Sequence, residues 1–402
     1  MSNGLFGLNR FYYAGIGSRA ITSRSSYLMM RYSCAMAFMG GIVRSGGAYG
    51  SDTSFETGAK IAYDKMVDLF GLRTGEYANV IEVHLPWNKF NGLSPKPGSG
   101  YYLSNNAAAF DMASSHHPYW ARLSSPERKL MARNSHQIMG LDMRSPSRFV
   151  ACETPDGAFD RESTTSRSGG TGQAIRIADA CAITVYNLKN KSHLEKIEQW
   201  LEDIDIKIFS RYGVSPMMLV DNYIKNESLF EKSISGDLVQ MTSKGDFDVL
   251  VHGVNCQAVM NAGIAKQVRD VFPGAYRAMM DRNSKGKSLL GMIDVVDVIA
   301  GEKNVKIINA YTQLNYGRTP DVLYVDYDAI RKSFSKIAQT IEKGQRIAIP
   351  KIGSGLGNGC WTTISKIIKN ELSGHDITLV NFKDEIKHEY KKEPVQESFF
   401  DM

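Results

Sequence analysis

Apolar and polar positions follow two rhythms along this chain. Short apolar runs at Phe11–Gly15, Gly41–Ser45, Val80–Leu85, Arg148–Cys152 and Ile183–Leu188, each bounded by glycine or polar residues, read as strands. A helix-compatible stretch runs from about Ser25 to Met39, and Thr53 with Glu56 has the spacing of a capping box, so a second helix is predicted to begin there. In the other half, the run Asp248–Val254 precedes Ile264, Val268, Val271 and Phe272, which recur at i, i+4, i+7 and i+8 as on an amphipathic helix. Further strands are predicted at Leu290–Ile299, Val305–Ala310, Arg346–Pro350 and Asp376–Phe382. Helices are predicted from about Asp326 to Lys343 and from Trp361 onward, where Ile364, Ile367, Ile368 and Leu372 follow. Strands that alternate with helices imply parallel sheets covered on both faces.

Two stretches interrupt this rhythm. Residues 86–147 hold Pro86, Pro95, Pro97, Gly98, Gly100 and Pro118, and read as a long irregular connection of the kind that forms a lid or binding loop. Residues 191–232 read as a charged helical connector, with Leu194, Ile197, Trp200 and Leu201 at helical spacing. The expected division is 1–190, the connector 191–232, a second domain at 233–386, and a fraying tail at 387–402.

Composition narrows the picture. A chain of 402 residues suggests two or three domains, and 43% hydrophobic residues suffice for packed cores. No apolar run reaches membrane-spanning length and no secretory pattern opens the chain, so no membrane partner is expected. Five scattered cysteines without a C-x-x-C pair argue against zinc and disulfides; no metal or cofactor is expected, and the location is expected to be cytoplasmic. A net charge of +6 suits small anionic ligands, and no basic-aromatic stripe calls for nucleic acid. The methionines at Met29, Met30, Met36 and Met39 read as core filling.

The chemistry concentrates in glycine-rich loops that follow strands. Val254-Asn-Cys-Gln-Ala-Val-Met-Asn-Ala-Gly-Ile-Ala265 is a strand-to-helix loop whose small residues let a ligand reach the backbone, while the first helical N–H groups attract phosphate. Gly353-Ser-Gly-Leu-Gly357 is a second candidate anion nest. The first half carries Gly15-Ile-Gly-Ser-Arg19, Gly46-Gly-Ala-Tyr-Gly-Ser-Asp52 and Ser168-Gly-Gly-Thr-Gly172. Ligands of parallel sheets sit at the carboxyl ends of strands, where these loops fall.

The stretch Asp246–Lys266, with Ser235-Gly-Asp-Leu238 upstream and Ile349–Gly357 downstream, resembles a macrodomain over roughly 233–382, and is most similar to the branch named for ADP-ribose-1''-phosphate phosphatases, common in phage genomes. The resemblance implies a three-layer α/β/α fold and an ADP-ribose-type nucleotide ligand. It implies that Asp237 accepts from the adenine amino group beside Leu238, that Asn255 contacts the distal ribose, and that Gly263, Ile264 and Ala265 give N–H groups to the diphosphate. Gly353, Ser354, Gly355, Leu356 and Gly357 would form the second phosphate loop, with Phe382 at its side. Asn255 and His252 are the candidate catalytic residues; their spacing on one strand suggests a common direction, with His252 as acid or charge stabiliser. Relatives that remove ADP-ribose from macromolecules use a lysine and an aspartate for which this chain offers Asp294-Val-Val-Asp297 and Asn358, which speaks against a lysine-dependent route.

The glycine loops of residues 8–190, together with Glu127–Gly140, resemble the SLOG superfamily of Rossmann-like nucleotide binders, which includes DprA-type proteins and cytokinin-activating phosphoribohydrolases. By that resemblance Gly15, Gly17, Ser18, Arg19, Gly46, Gly47, Asp52, Arg133, Gly169, Gly170 and Thr171 are candidates for a nucleotide phosphate site, and this domain is the candidate surface for a homo-oligomer. Arg176 stands where the phosphoribohydrolases carry a catalytic glutamate, which favours binding over glycosidic cleavage unless Glu56 substitutes. The expected fold class is therefore α/β: an N-terminal Rossmann-like parallel sheet domain and a C-terminal macrodomain. The expected function is binding and hydrolysis of an ADP-ribose derivative, foremost ADP-ribose-1''-phosphate. The alternative is a non-catalytic sensor or sponge of NAD-derived signalling nucleotides, as a phage would use against host defence.

Overall fold

Six parallel strands form the first sheet because every strand in it returns through a crossover rather than a hairpin. The computed structural model describes residues 9–104, 106–226, 230–282, 286–319 and 322–382; the expected tail and the boundary at 386 lie outside them. In chain order the first half runs β1 (Phe11–Gly17), α1 (Ser23–Phe38), β2 (Gly41–Ser45), α2 (Ser51–Phe70), β3 (Ile81–Leu85), β4 (Tyr101–Leu103), α3 (Ala107–His116), α4 (Ser125–Met139), β5 (Val150–Glu153), α5 (Gly169–Ala180), β6 (Val185–Asn187), α6 (Lys191–Tyr212) and α7 (Pro216–Asn226). The strand order is β4-β3-β2-β1-β5-β6, all parallel. Alternate residues of β1 serve opposite faces: Tyr13 packs with the α1 and α2 layer, while Ala14 and Ile16 pack with Ile138 of α4 and Ile175 of α5.

The second half runs β7 (Lys232–Ser235), α8 (Leu238–Ser243), β8 (Val249–Asn255), α9 (Gly263–Val271), α10 (Pro273–Met280), β9 (Ile293–Ala300), β10 (Lys303–Gln313), α11 (Tyr327–Thr340), β11 (Arg346–Ile349), α12 (Trp361–Glu371) and β12 (Asp376–Asn381). Its sheet order is β7-β12-β11-β8-β10-β9, parallel except for the β9–β10 pair. Val249 and Val251 face α11 and α12, whereas Leu250 faces α8 and α9. The chain is thus mixed α/β, with two parallel-dominated sheets.

Two sequence expectations need correction, and a third, the helical connector, gains a packing partner. Residues 86–147 are not an irregular loop: they hold β4, α3 and α4, the last opened by a Ser124–Glu127 capping box. Helix α2 starts at Ser51, ahead of the expected Thr53–Glu56 box; Thr53 Oγ1 instead donates to Ala48 O at 2.8 Å, and Ser45 Oγ donates to Glu56 at 2.5 Å. The stretch read as a connector lies against the first sheet's helical layer. Ile197, Leu201, Ile204 and Ile208 of α6 and Val220 of α7 are buried in the same core as Tyr13, and Trp200 sits 5.2 Å from Tyr32.

Candidate functional site

Three loops meet where β8, β11 and β12 end. Asn255 closes β8, and Gly263 opens α9 in a left-handed conformation, φ 55°, with open space where a Cβ would stand. Beyond β11 the chain turns at Gly353, φ 71°, where a Cβ would lie 2.7 Å from Val325, so only glycine fits. The loop closes on itself through Gly359 N to Gly353 O at 2.8 Å and Asn358 N to Gly355 O at 2.9 Å. Between these loops lies a cleft of about 1500 Å³, above the roughly 300–1,000 Å³ of a drug-sized pocket.

Leu238, Asn255, Gly263, Ile264, Ala265, Gly353, Gly355, Leu356, Gly357 and Phe382 all line this cleft. Phe382 is 57% and Leu356 47% exposed, which leaves two apolar surfaces at its mouth. The sequence reading missed Tyr316, Gly317, Arg318, Lys351, Lys266 and Lys225. Among the described lining residues the charged groups are cations only. An anionic ligand therefore meets backbone N–H groups and positive charge together.

Asn255 has less freedom than expected. Its Oδ1 accepts from Gln257 N at 3.0 Å and Val259 N at 3.2 Å, and its Nδ2 donates to Val259 O at 2.6 Å. The carboxamide shapes the loop and has one N–H left to offer a ligand. Asp237 is outside the lining; its carboxylate caps α8, accepting from Val239 N and Gln240 N at 3.0 Å each. Ser354 is also outside, its hydroxyl donating to Lys351 O at 3.0 Å.

His252 contradicts its expected role. Residues three apart on a strand point to opposite faces, so His252 and Asn255 diverge. His252 is fully buried and donates from Nε2 to Asn309 Oδ1 at 2.8 Å, since Asn309 Nδ2 is already given to Ala275 O and Asp294. Burial lowers its pKa to about 4, against the smaller opposing pull of the Asn309 bond. It is a neutral core residue that does not line the cleft.

A second cavity, of about 380 Å³, lies at the carboxyl ends of β1 and β5. Gly17, Ser18, Arg19, Asp52, Arg133, Gly169, Gly170 and Thr171 line it, joined by Asn134, Gln137 and Arg167. Gly15, Gly46 and Gly47 do not. Each is glycine for packing: a Cβ at Gly15 would strike Val43 and Phe55, at Gly46 the Arg133 guanidinium, and at Gly47 Leu93. Asp52 accepts from Gly46 N at 3.1 Å and Ala48 N at 3.3 Å and lies 3.8 Å from Arg133. Burial raises its carboxyl to about 6 despite that guanidinium. Arg133 Nη1 donates to Gly46 O at 2.8 Å, while its buried Nε and the buried Gln137 Nε2 are unpartnered. Arg176 is held by His116 O and Thr164, and Glu56 by Ser45; neither lines this cavity.

No protein-family model matches the chain. A 17.5 kDa uncharacterised protein of phage T4 is 27% identical over 156 residues, covering 38% of this chain and 96% of its own length. The DNA ADP-ribosyl glycohydrolase of Mycobacterium tuberculosis is 27% identical over 132 residues, so this chain spans about a third of that relative: 36% of its length, and 33% of this chain. Among solved structures, the macrodomain of Thermus aquaticus DarG is 23% identical with a TM-score of 0.30, covering 38% of this chain and 97% of that one. Thermosipho africanus DarTG in complex with ADP-ribose is 16% identical with a TM-score of 0.31, covering 45% and 50%.

Proposed function

We propose that the cleft of the second sheet, within a macrodomain spanning about 233–386, binds an ADP-ribose-type nucleotide. The observation that carries this is the meeting of the α9 N-terminus, the 353–357 glycine loop and Asn255 in one cleft whose charged lining groups are all cationic. The N–H groups of Ile264 and Ala265 and of the glycine loop would take the diphosphate. Phe382 offers a face for the adenine, and the remaining Asn255 N–H reaches toward the distal ribose. The 27% identity to a DNA ADP-ribosyl glycohydrolase supports the same ligand class.

Hydrolysis is the second reading, and that same relative favours it. Removal of the 1''-phosphate would rest on N–H groups and cations stabilising the developing charge, with water held between the two loops. His252 takes no part. The cavity of the first sheet, in a SLOG-like domain, would hold a phosphate-bearing nucleotide at the α5 N-terminus, with Arg19 and Arg133 beside it.

Phosphorus NMR with ADP-ribose-1''-phosphate tests both readings. Shifted ligand resonances at stoichiometric protein are the expected result for binding, and free phosphate growing at a catalytic ratio is the result expected of a phosphatase. Shifts without phosphate release would leave a sensor or sponge. Unshifted resonances at millimolar ligand would overturn the assignment.

A further inference from the structure

Between the two cavities runs a set of contacts that joins residues adjoining one wall to residues adjoining the other. Gly17–Ala20, which line the first-sheet cavity, run directly into Ile21, Thr22 and Ser23. That segment docks on the residues just past the glycine loop of the cleft. Thr22 forms an antiparallel bridge with Gly359, Ser23 N donates to Asn358 O at 3.1 Å, and Ser23 Oγ donates to Gly359 O at 2.7 Å. Tyr327 fastens the junction: its hydroxyl donates to Ile21 O at 2.7 Å and accepts from Cys360 N at 2.8 Å. A second route consists of buried side chains. Cys360 Sγ lies 3.1 Å from Ser26 Oγ, Ser26 Oγ lies 2.7 Å from Ser54 Oγ, and Ser54 Oγ donates to Gly50 O at 2.9 Å, in the loop that leads to Asp52.

On the cleft side the contacts spread from one residue. Asn358 adopts a left-handed φ of 55°, and its Nδ2 donates to Thr319 O at 3.0 Å and Val322 O at 2.8 Å. The segment it holds begins with Tyr316, Gly317 and Arg318, which line the cleft. A shift of Ile21–Ser23 therefore reaches both the glycine loop and the Arg318 wall.

We infer that the two cavities are coupled, so that ordering the Gly17–Arg19 loop pre-organises the glycine loop of the cleft, and the reverse. Coupling of this kind is reciprocal, and a loop already ordered by one ligand costs less to order for the other, which makes the sign positive. The inference rests on the proposed ADP-ribose reading only for its choice of probe.

Methyl NMR of the full chain, labelled at isoleucine and leucine, tests it with ADP-ribose as the probe. Leu356 and Ile352 report on the cleft and Ile16 on the other cavity. All three should shift along one saturation curve in the unaltered protein. Tyr327→Phe combined with Ser26→Ala, which removes the bridging hydroxyl and breaks the second route together, should keep the Leu356 shift and reduce the Ile16 shift at least fivefold; Tyr327→Phe alone, with a smaller reduction, is the alternative variant should the double variant fail to fold. An unmoved Ile16 beside a saturating Leu356 overturns the coupling. So does an Ile16 shift that is equal in the variant or follows its own curve, which would mean direct binding. An unmoved Leu356 sinks the ADP-ribose reading instead. The coupling is then decided without ligand: Arg19→Ala should displace Ile352 and Leu356, and unmoved methyls overturn it.

Discussion

Asn255 grips Val259 on both sides of its Cα, accepting from its N–H at 3.2 Å and donating to its carbonyl at 2.6 Å. That pair fixes the loop that delivers Gly263–Ala265 to the cleft. Asn255→Ala should therefore weaken ADP-ribose binding by about fivefold or more, because hydrogen bonds lost with one partner left unsatisfied cost about 1–3 kcal/mol. Asn255→Asp keeps the accepting oxygen, loses the donor and adds an anion, and should be no better. Calorimetric titration with ADP-ribose decides; unchanged affinity in both variants would remove Asn255 from the site.

Gly353 tests the other wall. Its left-handed φ of 71° and the 2.7 Å approach of Val325 leave no room for a methyl group. Gly353→Ala should lower both the melting temperature and ADP-ribose affinity, with strain on the order of 1–3 kcal/mol. Gly355, where a Cβ would meet open space, is the control; Gly355→Ala should leave stability within about 0.5 kcal/mol. Equal melting temperatures for all three proteins would show that the loop is not strained by Gly353.

How far these features were legible in the sequence depends on the signal each one leaves. Five strands of each six-stranded sheet stood out because apolar runs punctuated by glycine are local, whereas β4 and β7 were not predicted. Helix α3 was not predicted, since Pro86, Pro95 and Pro97 mark breaks ahead of it, and the Ser124–Glu127 box that opens α4 went unread. His252 was misread on parity: three steps along a strand reverse the face, and the burial that shifts its pKa leaves no mark in the sequence. The cleft's cations, Lys225, Lys266, Arg318 and Lys351, come from four separate segments and form no motif. Asn255 and the glycine loops were visible because a strand-end loop announces itself through small residues. That the connector's apolar spacing meant burial against the helical layer of the first sheet required tertiary contacts to see.

His252 carries a pH signature. Its pKa falls from an ordinary 6.5 to about 4 in the folded chain. A depressed pKa contributes stability that is present above 6.5 and lost as pH falls through 4, because the unfolded chain takes up the proton first. Over that window the loss attributable to His252 is on the order of 3 kcal/mol. His252→Leu should be less stable at neutral pH, since Asn309 Oδ1 loses its donor, yet the gap to the unaltered protein should narrow from pH 6.5 to 4. Its ADP-ribose affinity should stay within about twofold. Urea unfolding at both pH values and one titration suffice; a large loss of affinity would return His252 to the site.

Asp52 has the opposite sign. Burial raises its carboxyl from 3.8 to about 6, against the pull of Arg133 3.8 Å away. A raised folded pKa contributes stability that is full below 3.8 and lost as pH climbs through 6, so near neutrality the buried charge costs roughly 3 kcal/mol. Asp52→Asn removes the titration, while its altered contacts to Gly46 N, Ala48 N and Arg133 add an offset independent of pH. Relative to the unaltered protein, the variant should therefore gain stability between pH 4 and pH 7. The same charge lies in the wall of the first-sheet cavity, so an anion there should bind more tightly below pH 6 than above, and Asp52→Asn should flatten that dependence. Denaturant unfolding at pH 4.5 and pH 7 reads the first effect, and pyrophosphate titrations at the same values read the second. Parallel stability curves for the two proteins would mean that Asp52 ionises in the fold as easily as in water, and that Arg133 offsets its burial in full.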